Sequence, residues 1–441
     1  MLLDVSIWHQ INAGWRTFPT FTNQHHHFFQ RITVNGRFFC GPRITDNRHF
    51  MKILYINYTR PGTGAWVHTL QFTSAMKALN PDMTVYPLLL GRENESSISN
   101  AGSRNRLSIR FRGMRLLAAL FIRKIIEEAR VLNNVKPDVV ILRAGRYLSS
   151  VLISRYKKIP VLLEINGSLV LENRLIENQY RLKSKLFWRL VEKKVLIMGS
   201  HLMVVSEPLR QHYINWGFTP EKITTVPNGV DTQIFHPNID GQKVRKKFSL
   251  EGKIVIGFSG AFSAWHGLDF LFQMIQPLFK EKDDIVLLLI GRAKRDFTLP
   301  RLTEDRIIMT GFVPYEQMPE HLAAVDIFIA PYPRIEPFYF SPLKIFEAMA
   351  TEKAVLASSQ GQIRELITDG VDGLLYPPGD KAIFFRKLRL LIANTDLREK
   401  LGKRARRKIE QQFTWRHNAQ SVMELCRNLT RKTAMTNTKC L

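Results

Sequence analysis

The sequence predicts an α/β protein built from two Rossmann-like, doubly wound domains facing each other across a cleft. Three observations predict it. Short, almost continuously apolar runs alternate with longer helix-like stretches, the pattern of a parallel sheet covered on both faces. The series runs once, ends at "VPNGVD" (226–231), and restarts after the polar, basic stretch "DGQKVRKKF" (240–248). The chain has 441 residues, enough for two domains at roughly 100–200 residues each.

Residues 1–50 stand apart. They contain no Lys and no Glu, include "HHHFF" and show no period, so they are expected to form a poorly ordered extension, with Met51 a second candidate start. His25, His26 and His27 read as a solvated tail in preference to a metal site. The opening "MLLDVSIWHQ" lacks a basic n-region and a compact apolar core, so no signal peptide is expected. In the first series the strands fall at 52–58, 83–90, 138–142, 160–165, 202–206 and 223–226, separated by helical stretches such as 65–79, 113–134 and 181–198. In the second the strands fall at 253–258, 285–290, 306–309, 326–330, 354–357 and 373–376. Its helices fall at 267–281, 315–323, 342–350, 361–368, 380–393 and 396–411. A last helix, 415–429, follows the N-cap candidate Thr414. The expected domains are 51–231, completed by the C-terminal helix 415–430, and 232–413, with a tail at 431–441. Ligands in open α/β sheets bind outside the carboxyl ends of the strands, so the cleft between two such domains suits a reaction between two substrates.

Lys plus Arg number 64 and Asp plus Glu 38, a formal charge of +26. That excess points to an anionic partner: nucleic acid, a membrane surface or a phosphorylated substrate. No nucleic-acid recognition module is evident, which argues against the first. Part of the charge is concentrated: residues 101–130 hold eight Lys/Arg and two Glu. Arg104, Arg106, Arg110, Arg112 and Arg115 interleave with apolar residues, a pattern that fits an anionic membrane surface or a solvated loop before a core helix. No run reaches the ~20 apolar residues of a spanning helix. Three cysteines without a CxxC give no disulfide framework or zinc site.

The stretch "FYFSPLKIFEAMATEKAVLAS" (338–358) carries the chemistry of the second half. Ser341 is a candidate cap and Pro342 suits the first helical position. The helix N-terminus would then offer free amides and a positive dipole end to a phosphate. Lys344 sits in that first turn, where a cation is unfavourable unless an anion joins it. Glu347, three residues on, shares its face and can accept hydrogen bonds from a ribose diol; the plainer reading is a surface Lys–Glu pair. In the first half, Gly62 and Gly64 of "RPGTGAWVHTL" let backbone amides approach a ligand, or simply make a strand-to-helix turn. Glu164 and Asn166 leave a strand end in "LLEINGSLVLE", and Arg143 and Arg146 follow another, positions that suit ligand contacts, or for the first pair a helix cap and a solvated Glu. No Asp-x-Asp pair is present to hold a metal, so neither a metal nor another cofactor is expected.

Several of these words, in order, resemble the retaining nucleotide-sugar glycosyltransferases of family 4 (glycosyl transferases group 1), which have the GT-B fold. They are "VVSEPLRQHYINWGFTPEKITTVPNGVDTQIFHP" (204–237), "GFSGAFSAWHGLDFLF" (257–272), "AAVDIFIAPYP" (323–333), "SPLKIFEAMATEKAVLAS" (341–358), "IRELITDGVDGLLYPPGD" (363–380) and "FTW" (413–415). The resemblance covers about 51–430 and is of the "SPLK…E" variant.

It implies roles for residues. Glu347 matches the family's second donor-site carboxylate, the ribose ligand. The first falls at Tyr339, so that carboxylate is absent, with Glu336 nearby as a substitute. The family's diphosphate-binding Arg and Lys fall at Ala261 and His266. Lys344, with Arg292 as a second candidate, would restore positive charge, and Gly260, His266 and Ser341 join the donor set. The resemblance implies the acceptor side for Arg143, Arg146, Glu164 and Asn166, the arginines facing anionic acceptor groups. The resemblance further implies transfer from a nucleotide diphosphate-sugar, most often a UDP-sugar, to an acceptor hydroxyl, with retention and without a metal. Lys344, Glu347 and His266 are the implied catalytic residues. A lipid-linked or surface-polysaccharide glycan is the implied acceptor, with the enzyme on the inner face of the cell membrane. Two alternatives remain: a non-catalytic relative binding an anionic surface or sugar nucleotide, and a sugar-nucleotide epimerase, against which the intact "SPLK…E" block argues.

Overall fold

The computed structural model describes residues 51–57, 64–87, 125–143, 149–168, 170–172, 182–293 and 304–438. The 1–50 extension, Gly62, Arg146 and the basic segment 103–124 lie outside them.

The first half forms a six-stranded parallel sheet of β1 (Ile53–Asn57), β2 (Thr84–Pro87), β3 (Val139–Arg143), β4 (Val161–Ile165), β5 (His201–Val204) and β6 (Ile223–Thr225). The strands lie in the order β2-β1-β3-β4-β5-β6. Leu54 lies opposite Thr84 on one side and Val140 on the other, which fixes β1 in the interior. Its helices are α1 (Gly64–Leu79), α2 (125–135), α3 (Ser149–Tyr156), α4 (Leu182–Met198) and α5 (Glu207–Asn215). Alternation along the strands sends side chains to two cores. Leu54, Ile56, Val140 and Leu142 meet Leu132 of α2, Val151 of α3 and Val195 and Leu196 of α4. Ile53, Tyr55, Val139 and Ile141 meet Phe72 and Met76 of α1. The last helix, α13 (Trp415–Thr438), joins this second face through Trp415, Ala419, Val422 and Met423. Thr414 caps α13, its Oγ1 accepting from the His417 amide at 3.2 Å.

The second half repeats the plan. After a short α6 (Gln242–Lys247) come β7 (Ile254–Ser259), α7 (Leu268–Glu281), β8 (Ile285–Ile290), β9 (Ile307–Met309) and α8 (Met318–Ala323). Then follow β10 (Ile327–Ala330), α9 (Leu343–Ala350), β11 (Ala354–Ser358), α10 (Ile363–Leu366), β12 (Leu374–Tyr376), α11 (Lys381–Ala393) and α12 (Thr395–Gln412). The order is β12-β11-β10-β7-β8-β9, all parallel. Strand order reverses at β7/β10, as it does at β1/β3, and such switch points hold ligands. All six residues of β8, IVLLLI, are buried. Each such side chain contributes about 1.5–3 kcal/mol, which is why central strands read as unbroken apolar runs.

Every predicted strand overlaps an observed one, and the helices differ in detail. The 342–350 helix begins at Leu343, with Pro342 at the cap and no side-chain cap bond, so Ser341 does not cap it. The predicted 315–323 helix splits into a tight 3₁₀ turn and α8, and 361–368 shrinks to one turn. The helices α3, α5 and α6 are not among those predicted, although Ser206 caps α5 and Pro208 sits in its first turn, a start signal legible in "SEP".

Candidate functional site

Of the residues expected to hold the donor, Gly260, His266, Lys344 and Glu347 gather at the carboxyl ends of β7 and β10. The ammonium of Lys344, in the first turn of α9, is enclosed and has no hydrogen-bond partner among the described residues. It lies 4.2 Å from the ring centre of Phe258 and 5.6 Å from that of Tyr332. Ring faces are weak partners for a cation compared with a carboxylate or phosphate. Gly260 makes room for it. A Cβ there would stand 2.7 Å from Lys344 Nζ, and the φ of +130° suits glycine alone. His266 is buried beside them, its ring 3.9 Å from Trp265 and 5.9 Å from Tyr332. Its Nδ1 accepts from the Ser263 amide at 3.4 Å. Gly267, at φ +76°, brings this loop so close to the one after β10 that a Cβ would overlap the Pro331 carbonyl.

Glu347 is buried on the same helix. Burial pushes its carboxyl up to about 7, against the pull of Lys344. Burial likewise pushes the Lys344 ammonium down to about 7, against the pull of Glu347. The pair is therefore not the solvated surface pair that i,i+3 spacing alone allows. Each group is held near neutrality, where a ligand's charge can move its proton.

Tyr339 is elsewhere. Its side chain is buried in the core of the first sheet, beside Gly167, whose added Cβ would meet the ring at 3.3 Å. Its carbonyl accepts from Ser206 Oγ at 2.7 Å, and its hydroxyl has no partner among the described residues. Tyr339 thus connects the two sheets, a correction to its placement among the donor contacts: an apolar core claims an aromatic ring more strongly than an open loop does. Glu336 is exposed and pairs with Arg334 at 3.8 Å. Arg292 and Ala261 are exposed. The Ser341 hydroxyl accepts from the Asn228 amide at 3.3 Å, and its carbonyl accepts from Asn228 Nδ2 at 3.1 Å. Ser341 therefore fastens the start of α9 to the crossover between the sheets.

The first sheet holds a different constellation. Glu164 Oε1 accepts from Arg143 Nη1 at 2.9 Å and from Asn166 Nδ2 at 2.6 Å, and Oε2 accepts from the Tyr55 hydroxyl at 2.8 Å. Burial raises the Glu164 carboxyl, but Arg143, His68, Asn166 and Tyr55 together outweigh it and hold the group below the usual range. Arg143 also donates to His68 Nδ1. Burial, then Arg143, push His68 down to about 3, so the ring stays neutral. The Trp415 ring meets His68 edge-on at 5.0 Å. The Asn228 side chain interacts with His68 too, linking this cluster to Ser341 and α9. Arg143, expected to face an anionic acceptor, instead spends its guanidinium on Glu164 and His68, since a buried carboxylate needs a cation within reach. Gly64 opens α1, and a side chain there would meet nothing within 4 Å among the described residues. Sequence reasoning missed His68, Tyr55 and Asn228. His68 lies inside the quoted "GAWVHTL" and Asn228 inside "VPNGVD", but nothing local marks either as part of a site.

Comparison with known proteins agrees with this arrangement. A model of glycosyl transferases group 1 matches residues 253–394, the second sheet, and one of glycosyltransferase family 4 matches 62–234, most of the first. The chain belongs to this glycosyltransferase family. Spore coat protein SA of Bacillus subtilis is 26% identical over 222 residues, which cover 46% of this chain and 58% of that protein. The lipopolysaccharide core biosynthesis mannosyltransferase LpcC of Rhizobium leguminosarum is 27% identical over 210 residues, 45% of this chain and 58% of that one. The chain thus spans a little under three-fifths of either relative. Among solved structures, Anabaena HepE in complex with UDP and glucose superposes with a TM-score of 0.67 at 19% identity, covering 86% of this chain and all of that one. At that identity the likeness establishes the fold, a two-domain α/β GT-B architecture.

Proposed function

We propose that the protein transfers a sugar from a nucleotide diphosphate-sugar, a UDP-sugar, to a hydroxyl of a lipid-linked or surface-polysaccharide glycan, with retention and without a metal. The observation that carries the reading is the enclosed Lys344 ammonium, which among the described residues has ring faces and the Glu347 carboxyl, pushed up to about 7, around it and no hydrogen-bonded anion. A donor diphosphate is the partner such a cation lacks. Departure of the diphosphate builds negative charge on its outer phosphate and positive charge at the anomeric carbon. Lys344 and the dipole of α9 stabilise the first, in a site where burial strengthens the interaction. His266, beside Gly260 with Lys344, lends a polar edge to the phosphate, while Glu347 receives the ribose hydroxyls. On the retaining route the departing phosphate itself takes the acceptor proton on the face it leaves. The reading draws support from the UDP-bound HepE of the same fold and from relatives named for lipopolysaccharide and capsule synthesis.

The test is nucleotide binding by the purified full chain, followed by release of UDP when a UDP-sugar and a lipid-linked sugar are supplied together. The anomeric configuration of the product is then read by NMR. Binding without turnover across a broad panel of donors and acceptors would leave a non-catalytic relative as the better reading.

A further inference from the structure

We infer that the outer face of α2, α3 and α4 is a docking surface for an anionic lipid bilayer. This deepens the proposed function and rests on its premise that the acceptor is lipid-linked. The three helices cover one side of the first sheet and share a core. Each turns an apolar residue outward beside a base at helical spacing. On α3 these are Leu152, Arg155 and Tyr156, and on α4 Leu190, Lys194 and Ile197. On α2 they are Ile126 and Arg130. The apolar side chains are not grazing the surface: Tyr156 is 88% exposed, Ile197 58% and Leu190 53%.

The charge is one-sided. Lys157 and Lys158 extend the base row beyond α3. The acid of α4, Glu192, is buried and accepts from Tyr213 at 2.8 Å. Among the described residues of the three helices, Glu127 is the one exposed acid. A basic rim repels a second copy of itself, so self-association is disfavoured. A nucleic acid would use the bases but leave the leucine, isoleucine and tyrosine side chains in water. Anionic headgroups over an acyl layer satisfy both sets at once. In the sequence, the basic segment 103–124 directly precedes α2. Among the described residues no helix is long and apolar enough to cross a membrane, and surface docking is the mode that these stripes serve.

The experiment is sedimentation of the full chain with phosphatidylglycerol–phosphatidylcholine vesicles, against phosphatidylcholine alone. Two variants are compared: Arg155→Glu/Lys158→Glu/Lys194→Glu, and Leu190→Ser/Ile197→Ser. All five positions are exposed and outside the donor pocket, so unchanged UDP affinity certifies folding. The charge variant is expected to lose at least about tenfold in partitioning, and the apolar variant several-fold. Wild-type protein that ignores anionic vesicles would overturn the surface and the membrane premise together. Wild-type binding that both variants retain would overturn the surface alone. A change of oligomeric state without a change in vesicle binding would reassign the face to self-association and so overturn the proposal.

Discussion

The two ends of the molecule treat buried charge in opposite ways. At the end of the first sheet, Glu164 is met by Arg143, Tyr55 and Asn166, and neutral His68 completes the set. At the end of the second, the described partners of Lys344 are ring faces and a carboxyl held near neutrality. The first arrangement is finished without a ligand and can act as a rigid frame. The second is unfinished until an anion arrives, and carries its cost in the ligand-free state. The difference teaches where binding energy is available: a saturated network offers little to a newcomer, whereas an unsatisfied cation offers a charge-assisted contact.

The largest effect expected follows from breaking the finished end. Glu164→Gln leaves the Arg143 guanidinium buried without its counter-charge, and such a loss costs about 3–5 kcal/mol. Urea unfolding measures it. Because the folded carboxyl is held below its ordinary value, its contribution is present above the unfolded pKa and lost as pH falls through the lowered folded value. The variant should therefore show a flatter acid limb. A midpoint equal to wild type would mean that the network is not stabilising, and the contrast between the two ends would fail.

Next comes the unfinished end. Lys344→Met is expected to weaken UDP binding by roughly 10–100-fold, the worth of a hydrogen bond to a charged group. It should also leave stability unchanged or raised, because an unpaired buried ammonium is removed. Calorimetry with UDP and a thermal melt read the two signs on one sample. Lost affinity together with lost stability would make Lys344 a structural residue.

A smaller effect sharpens the same point through pH. Lys344 is lowered to about 7 from 10.5 and Glu347 raised to about 7 from 4.5. Between 4.5 and 7 the folded chain holds the extra carboxyl proton, so stability falls as pH rises. Between 7 and 10.5 the unfolded chain holds the extra lysine proton, so stability recovers. At pH 8 a bound diphosphate must draw a proton onto Lys344. UDP affinity should then fall by up to about tenfold per pH unit above 7, with close to one proton taken up. Calorimetry in buffers of differing ionisation heat reads that uptake, and Lys344→Met should abolish it.

The same contrast explains what was legible in the sequence. Strands such as β8 are buried on both faces and made of one residue class, so periodicity alone locates them. The Lys344–Glu347 pair sits three residues apart on one helix, and its spacing is visible in one dimension. The Glu164 network draws on β1, α1, β3 and β4, with partners 109, 75 and 21 residues apart. Nothing local in Tyr55 or His68 announces that they will meet. Short amphipathic helices were the other blind spot: α3 begins beyond residues 144–148 with two serines and spans only eight residues, too few for a 3.6-residue period to stand out.

Tyr339 is where spacing and packing disagreed, and it yields the smallest expected effect. A position matched to a donor carboxylate holds instead a ring buried between the two sheets. Its hydroxyl is enclosed without a partner among the described residues, and burial, aided by Glu172 and Glu192, pushes its pKa far up. An unpaired buried hydroxyl costs about 1–3 kcal/mol in desolvation, so Tyr339→Phe removes a penalty and keeps the ring. The variant should be as stable as wild type or slightly more so, with UDP affinity unchanged within twofold. Tyr339→Ala, in contrast, should cost about 3–5 kcal/mol as a large aromatic deletion. If Tyr339→Phe instead weakens UDP binding tenfold, the hydroxyl reaches the donor after all, and the boundary between the saturated and the unsaturated end moves across this residue.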